Sequence, residues 1–245
     1  MKYSMTMAAV VIAASGITVQ AEELGWSSSA ELGAITTTGN TEGTSITGRI
    51  NSVQRLERFD NEYHLSAFFK EDKKRLEDGS SERERTAERI RASVKSAYKL
   101  ETEHDNLFVL GSHTEDKFGA YRKYSTVAVG YGTRLLDRES QSLNVEIGPG
   151  YSYGKTAEGD TESGLLARAG AFYKWVISEH ASFGQDLVVE YGEDNTRTSA
   201  ETSLTARING RMQMKAAFIV QSDTDVPVDK KRTDTQTSLT LVYSF

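Results

Sequence analysis

The sequence predicts an all-β chain: a transmembrane, antiparallel, up-and-down β-barrel of about twelve strands. Three observations predict it. An apolar leader opens the chain, the remainder alternates apolar and polar residues with a period of two, and the connections alternate between short and long.

The leader sets the compartment. Lys2 forms a small basic start, and Met5 to Val19 is an apolar run broken only by Thr6, Ser15, Gly16 and Thr18. Val19-Gln20-Ala21 then gives the small-x-small pattern of a signal-peptidase site. The run falls short of the ~20 residues that cross a bilayer as a helix. Residues 1–21 are therefore expected to be a signal peptide and residues 22–245 the outer-membrane barrel. No later stretch approaches ~18 consecutive apolar residues, and the mean hydropathy is −0.49. A soluble periplasmic β-sandwich is the rival fold. With no cysteine, disulfides and thiolate metal sites are excluded. A net charge of −6 argues against a nucleic-acid partner.

The strands follow in order. The first is expected near 24–37 and the second near 44–55. Next come 62–70, 85–100, 106–114 and 121–136. The remainder are 142–153, 165–178, 182–191, 197–208, 211–221 and 233–245. In a barrel wall one face meets lipid and the other the lumen, so side chains must alternate. The last strand puts Leu239, Leu241, Tyr243 and Phe245 on one face and Ser238, Thr240 and Ser244 on the other, with Val242 the exception. Strand four sets Ile90, Ala92, Val94, Tyr98 and Leu100 against Arg89, Arg91, Lys95 and Lys99. Strand seven opposes Leu143, Val145, Ile147, Tyr151 and Tyr153 to Asn144, Glu146 and Ser152. Strand eight opposes its apolar residues from Leu165 to Ile177 to Arg168 and Lys174. Strand five is ambiguous, with Leu107 and Val109 on one face and Phe108 and Leu110 on the other.

Short turns are expected around 57–61, 101–105, 137–140, 179–180 and 209–210. Longer polar loops are expected at 71–84, 115–120, 155–164 and 222–232, with shorter members of that set at 39–43 and 192–195. An even strand count with short turns at the end that carries both termini is the arrangement of single-chain bacterial barrels. Outward aromatics near strand ends, such as Tyr151, Tyr173, Trp175 and Tyr191, fit an interfacial girdle.

Three stretches carry a family resemblance. The first is Thr38-Gly39-Asn40-Thr41-Glu42 with Ser45. The second is Gly130-Tyr131-Gly132, followed by Leu135, Asp137, Leu143, Glu146 and Gly148-Pro149-Gly150-Tyr151. The third is Arg232-Thr233-Asp234-Thr235 with Leu241-Val242-Tyr243-Ser244-Phe245. Together they resemble the YdiY-like family of salt-induced outer-membrane proteins. The resemblance implies an outer-membrane barrel and transfers no catalytic or binding residue. The closing Tyr243-x-Phe245 looks like the signal recognised by barrel assembly machinery, which is expected as a partner beside outer-membrane lipid and lipopolysaccharide.

The candidate chemistry lies in the lumen. Inward bases are expected at Arg49, Arg89, Arg91, Lys95, Arg134, Arg168, Lys174, Arg207, Arg211 and Lys215. Inward acids are expected at Glu31, Glu62, Glu146, Asp186, Glu190 and Glu201. The list leans basic, and rings of basic side chains favour anions in a pore. About twelve strands fall between the filled eight-stranded and the open sixteen-stranded regimes. The leading expectation is a monomeric barrel with a narrow channel for small, anionic solutes, linked to salt or envelope stress. A structural envelope barrel with a plugged lumen is the alternative.

An outer-membrane hydrolase ranks below both, so no enzyme and no cofactor are expected. His64 and Ser66 share a face of strand three, without an identified acid or amide partner. No Gly-x-Ser-x-Gly, His-Glu-x-x-His or phosphate-loop motif occurs. His104 and His180 fall in short turns. Asp160, Glu158, Glu193, Asp194, Asp223, Asp225 and Asp229 offer loop carboxylates for divalent cations bridging to lipopolysaccharide. None has EF-hand spacing, and no dedicated metal site is expected. The mixed charges of 71–85 read as solvated surface.

Overall fold

The computed structural model describes residues 24–37, 42–75, 80–102, 104–227 and 230–245. The expected leader 1–21 and the Thr38–Thr41 part of the first family stretch lie outside the described residues. Twelve strands form: β1 (Gly25–Thr37), β2 (Glu42–Arg55), β3 (Phe59–Arg75), β4 (Ser81–Lys99), β5 (Asp105–Asp116), β6 (Tyr121–Arg138), β7 (Gln141–Thr156), β8 (Thr161–Ser178), β9 (Ala181–Gly192), β10 (Thr196–Arg207), β11 (Met212–Asp223) and β12 (Thr233–Ser244). Each pairs antiparallel with its chain neighbours, and β1 pairs with β12 to close the barrel.

Closure matters because an open sheet edge leaves a row of backbone donors and acceptors unpaired, which hydrocarbon cannot satisfy. The seam is pinned at the chain end: Ser28 and Phe245 exchange both backbone hydrogen bonds, at 2.9 and 2.8 Å. Glu31 then faces Val242 and Leu32 faces Leu241 across it.

The C-terminus and the connections after β2, β4, β6, β8 and β10 lie at one end of the barrel, the turn end; those after β1, β3, β5, β7, β9 and β11 lie at the other, the loop end, and the nine residues between β11 and β12 are the longest of them. Two expected loops are shorter than the sequence suggests. The polar stretch 71–84 is largely strand: β3 runs to Arg75, and β4, 19 residues long, begins at Ser81. Asp72 pairs in register with Glu84, and Lys73 with Arg83. Charged side chains hid the strand because this part carries no apolar face. Asp223 also leaves its expected loop and ends β11.

The alternation sorts the wall into two faces. Outside lie apolar side chains such as Leu65, Val94, Val129, Ile147, Leu165, Leu204 and Leu239, all exposed. Strand five resolves accordingly: Phe108 and Leu110 are buried inside, while Leu107 and Val109 are exposed outside. Phe108 belongs to a small interior apolar cluster with Ala97, Leu110 and Ala128. Where β6 passes β7, the backbones approach closely. A Cβ on Gly148 would run into the Val129 carbonyl and Gly130, and one on Gly130 into the Ile147 carbonyl and the Phe108 ring. Register pairs lapse between Ala128↔Gly150 and Tyr131↔Ile147, then resume unshifted. Gly148-Pro149-Gly150 is thus a packing feature: glycines admit the close approach, and Pro149 has no N–H to give a ladder.

Aromatic pairs ring the outside at the turn end. Trp26 stacks on Tyr63, Phe59 meets Tyr98 edge-on, Tyr173 meets Phe183, and Tyr243 stacks on Phe245. At the loop end Tyr151, Tyr153 and Tyr191 are exposed on the same outer face.

Candidate functional site

The inner face is polar and charged, and several of its ion pairs bridge strands that are not neighbours. Arg49 on β2 gives Nη1 to both carboxylate oxygens of Glu201 on β10, at 2.9 and 2.8 Å. Lys215 on β11 meets the same Glu201 at 2.8 Å and Glu31 on β1 at 3.5 Å. A second network centres on Glu146 of β7. It accepts from Lys95 of β4 at 2.6 Å and from Arg168 of β8 at 3.0 Å, while Lys95 also reaches Glu62 at 2.8 Å. Side chains reach across the interior because a wall of this curvature turns the inward residues of several strands toward one axis.

Toward the loop end the pairs tighten. Arg197 Nε lies 2.7 Å from Asp223 Oδ1, and its guanidinium covers the Tyr124 ring at 3.7 Å. Tyr121 donates its hydroxyl to Glu162 at 2.6 Å. Arg89 reaches Asp116 at 2.6 Å and Asp234 at 3.8 Å. A planar guanidinium stacked on an aromatic ring and bound to a carboxylate is held firmly in place.

Space remains between these networks. One cavity, of about 680 Å³, extends from Asp60 and Asn144 near the turn end to Tyr124 and Arg197. Another, of about 590 Å³, lies under the loops, bounded by Phe118, Asp116 and Asp234. Ile219 and Gln221 border both.

Strand register puts Arg49, Arg89, Arg91, Lys95, Arg134, Arg168 and Lys215 on the face that also carries Glu31, Glu62, Glu146, Asp186, Glu190 and Glu201. Arg134 sits near the turn end, within 3.1 Å of Asn144 and 3.4 Å of Asp137. Lys174 and Arg207 follow the inward parity at the turn-end rim and are exposed. Arg211 does not belong to a strand: it stands in the turn before β11.

The sequence reading missed Arg197, Asp116, Asp223 and Asp234. Arg197 shares its parity with Glu201, so alternation alone could have placed it inside. Asp223 and Asp116 were hidden because both stand where the expected strands had already given way to polar loop. With these acids included, the interior is far closer to charge balance than the expected basic stripe.

His64 and Ser66 also face inward, and the amide partner absent from the sequence reading is present: His64 Nδ1 is hydrogen-bonded to Asn51 Oδ1. Among the described residues no hydrogen bond joins His64 to Ser66, so a nucleophile–base pair is not assembled. No group of three or more histidine, aspartate or glutamate side chains positioned for a metal ion occurs among the described residues.

Residues 30–245 match the family described as protein of unknown function, DUF481. YdiY of Escherichia coli (strain K12) is 32% identical over 166 residues, which cover 67% of this chain and 65% of that protein. The matched stretch therefore spans slightly less than two thirds of the relative. Three solved barrels share the fold at low identity. The COG4313 outer membrane channel from Pseudomonas putida F1 superposes with a TM-score of 0.55 at 11% identity, covering 92% of this chain and 97% of that one. The translocator domain of the autotransporter NalP from Neisseria meningitidis gives 0.52 at 14%, covering 91% and 89%. The NanC porin gives 0.51 at 10%, covering 88% and 98%.

Proposed function

This chain belongs to the DUF481 family of proteins of unknown function, and within that family we propose that it is a narrow outer-membrane channel for small polar solutes, anions among them. The observation that carries this reading is the lumen: polar, charged, and hollow from near the turn end to beneath the loops. A structural barrel with a plugged lumen would be expected to fill that space with side chains, as eight-stranded barrels do.

The membrane placement follows from the outer surface. β12, 12 residues long, rises ~3.3 Å per residue at a tilt of ~40° and so spans about 30 Å, which suits a hydrocarbon core. The turn end then faces the periplasm and the loops face outward, against lipopolysaccharide. A single closed barrel needs no second copy to satisfy its backbone, which supports a monomer. The Tyr243-x-Phe245 end, already seated on the seam strand, supports handling by barrel assembly machinery.

Because most lumenal cations meet a carboxylate, the field along the passage is weak and ionic selectivity should be modest. The resemblance to salt-induced outer-membrane proteins adds a role in the envelope under salt stress. The test is planar-bilayer recording of the refolded chain in a salt gradient. Steady small openings with weak ion selectivity are the expected result. A silent bilayer with heat-modifiable gel migration, which reports a folded barrel, would instead make this a sealed structural protein.

A further inference from the structure

Among the inward charges named above, Arg91, Glu190 and Asp186 line the larger cavity without the ion pairs the others make. Asp186 is in register with Glu201 and borders the Arg49–Glu201–Lys215 network, which leaves Arg91 and Glu190 apart from it. Arg91 on β4 projects inward between Ser66 and Thr114 in register. Its side chain is exposed and lines the cavity. No described residue gives it a hydrogen bond or an ion pair. Glu190 on β9 stands in register between Arg168 and Arg197. Both of those arginines turn to other carboxylates, Arg168 to Glu146 and Arg197 to Asp223. Glu190 is only 9% exposed and likewise has no hydrogen-bonded partner among the described residues.

The two groups face one space from different walls, with four strands between β4 and β9 on one side and six on the other. Arg91 and Glu190 line one cavity, together with Arg168 and Arg197. Glu190, nearly closed off, loses water without gaining a hydrogen-bonded partner, which is costly for an ion. We propose that the gap between Arg91 and Glu190 is a binding station for a small zwitterion, an amino acid or a similar solute. Arg91 takes its carboxylate through the guanidinium fork, and Glu190 takes its ammonium group.

The charge arrangement disfavours simpler ligands. An anion on Arg91 would also face Glu190, and a lone cation on Glu190 would face Arg91, Arg168 and Arg197. A molecule with both charges answers both groups at once. The station deepens the channel reading and rests on it for its biological meaning, but binding is measured separately from conduction.

The experiment titrates the refolded barrel in detergent with glycine, β-alanine and 4-aminobutanoate, against acetate and methylammonium as single-charge halves. Calorimetry and the shift in thermal midpoint are the readouts. At least one of the three zwitterions should bind, and both halves should bind at least tenfold more weakly. Arg91→Gln and Glu190→Gln should each weaken that zwitterion tenfold or more. Gel migration reports folding, and Arg91→Lys, which keeps the charge and loses the fork, substitutes if Arg91→Gln does not fold. Acetate binding as tightly as the zwitterion would make Arg91 an anion site and overturn the proposal. Absence of binding to a folded barrel, or unchanged binding in the double variant Arg91→Gln/Glu190→Gln, would overturn it too. Binding to a barrel silent in bilayers would sink the channel and keep the station; conduction without binding would do the reverse.

Discussion

Among single residues, the lumenal carboxylates differ sharply in what they hold. Glu146 is 8% exposed and neutralises both Lys95 and Arg168, whereas the Glu62 side chain is half open to solvent and shares only Lys95. Removing one partner from an enclosed pair strands the remaining charges, and lumenal water offsets part of that penalty. Glu146→Gln should therefore cost about 2–4 kcal/mol of barrel stability, and Glu62→Gln less than about 1 kcal/mol. Urea unfolding in lipid vesicles checks both, and equal effects would mean that the Glu146 network bears no special load. How much of this was legible depends on how local the cause is. The inward position of Glu146 follows from a period of two, so the sequence contains it. Its two partners come from β4 and β8, a pairing that depends on barrel curvature and that alternation cannot specify. The Arg197–Tyr124 contact is of the same kind: β10 meets β6 only because the wall is closed.

The strands show a different balance. All twelve were legible, because each crossing must alternate for long enough to be recognised. Their ends were not. Hydropathy falls away where a strand leaves the apolar band, although backbone pairing continues, so β3 and β4 run on through residues that read as loop. The same two strands carry Arg85, which meets Glu88 at 2.7 Å and Glu71 at 3.5 Å, in the stretch that continues toward the loop end. The β6–β7 crossing adds a constraint that composition alone does not convey. Gly148 faces backbone atoms of β6, which cannot turn aside as a flexible side chain can. Gly148→Ala should push these strands apart and lower both the refolding yield and the unfolding midpoint. Gly164→Ala on β8, where an added Cβ meets nothing within 4 Å, is the matched control and should refold like the parent. A Gly148→Ala barrel as stable as that control would show that the close approach is not required.

For the whole molecule, the outer surface makes a prediction that no single residue or strand makes. Alternation put apolar side chains on one face of every strand, but only closure turns those faces into a continuous belt around a charged interior. The chain has two tryptophans, and both lie on that belt at the same end. Trp26 is the second residue of β1 and stacks on Tyr63; Trp175 pairs in register with Gln141, the first residue of β7, and with Phe183. They are exposed by 62% and 40% in the isolated chain, an arrangement that water alone would not favour. Indole settles at the boundary between headgroups and hydrocarbon because its ring is apolar and its N–H seeks a partner. In vesicles of brominated lipid both tryptophans should therefore be quenched, more strongly by bromines near the headgroup than by bromines near the bilayer centre. Trp26→Phe and Trp175→Phe variants separate the two signals, and each should give the same depth if the turn-end girdle is one ring. Emission that ignores the bromines would place this surface outside lipid and return the fold to a soluble setting. Deep quenching of one tryptophan and shallow quenching of the other would mean that the barrel sits tilted or in a different register with the membrane.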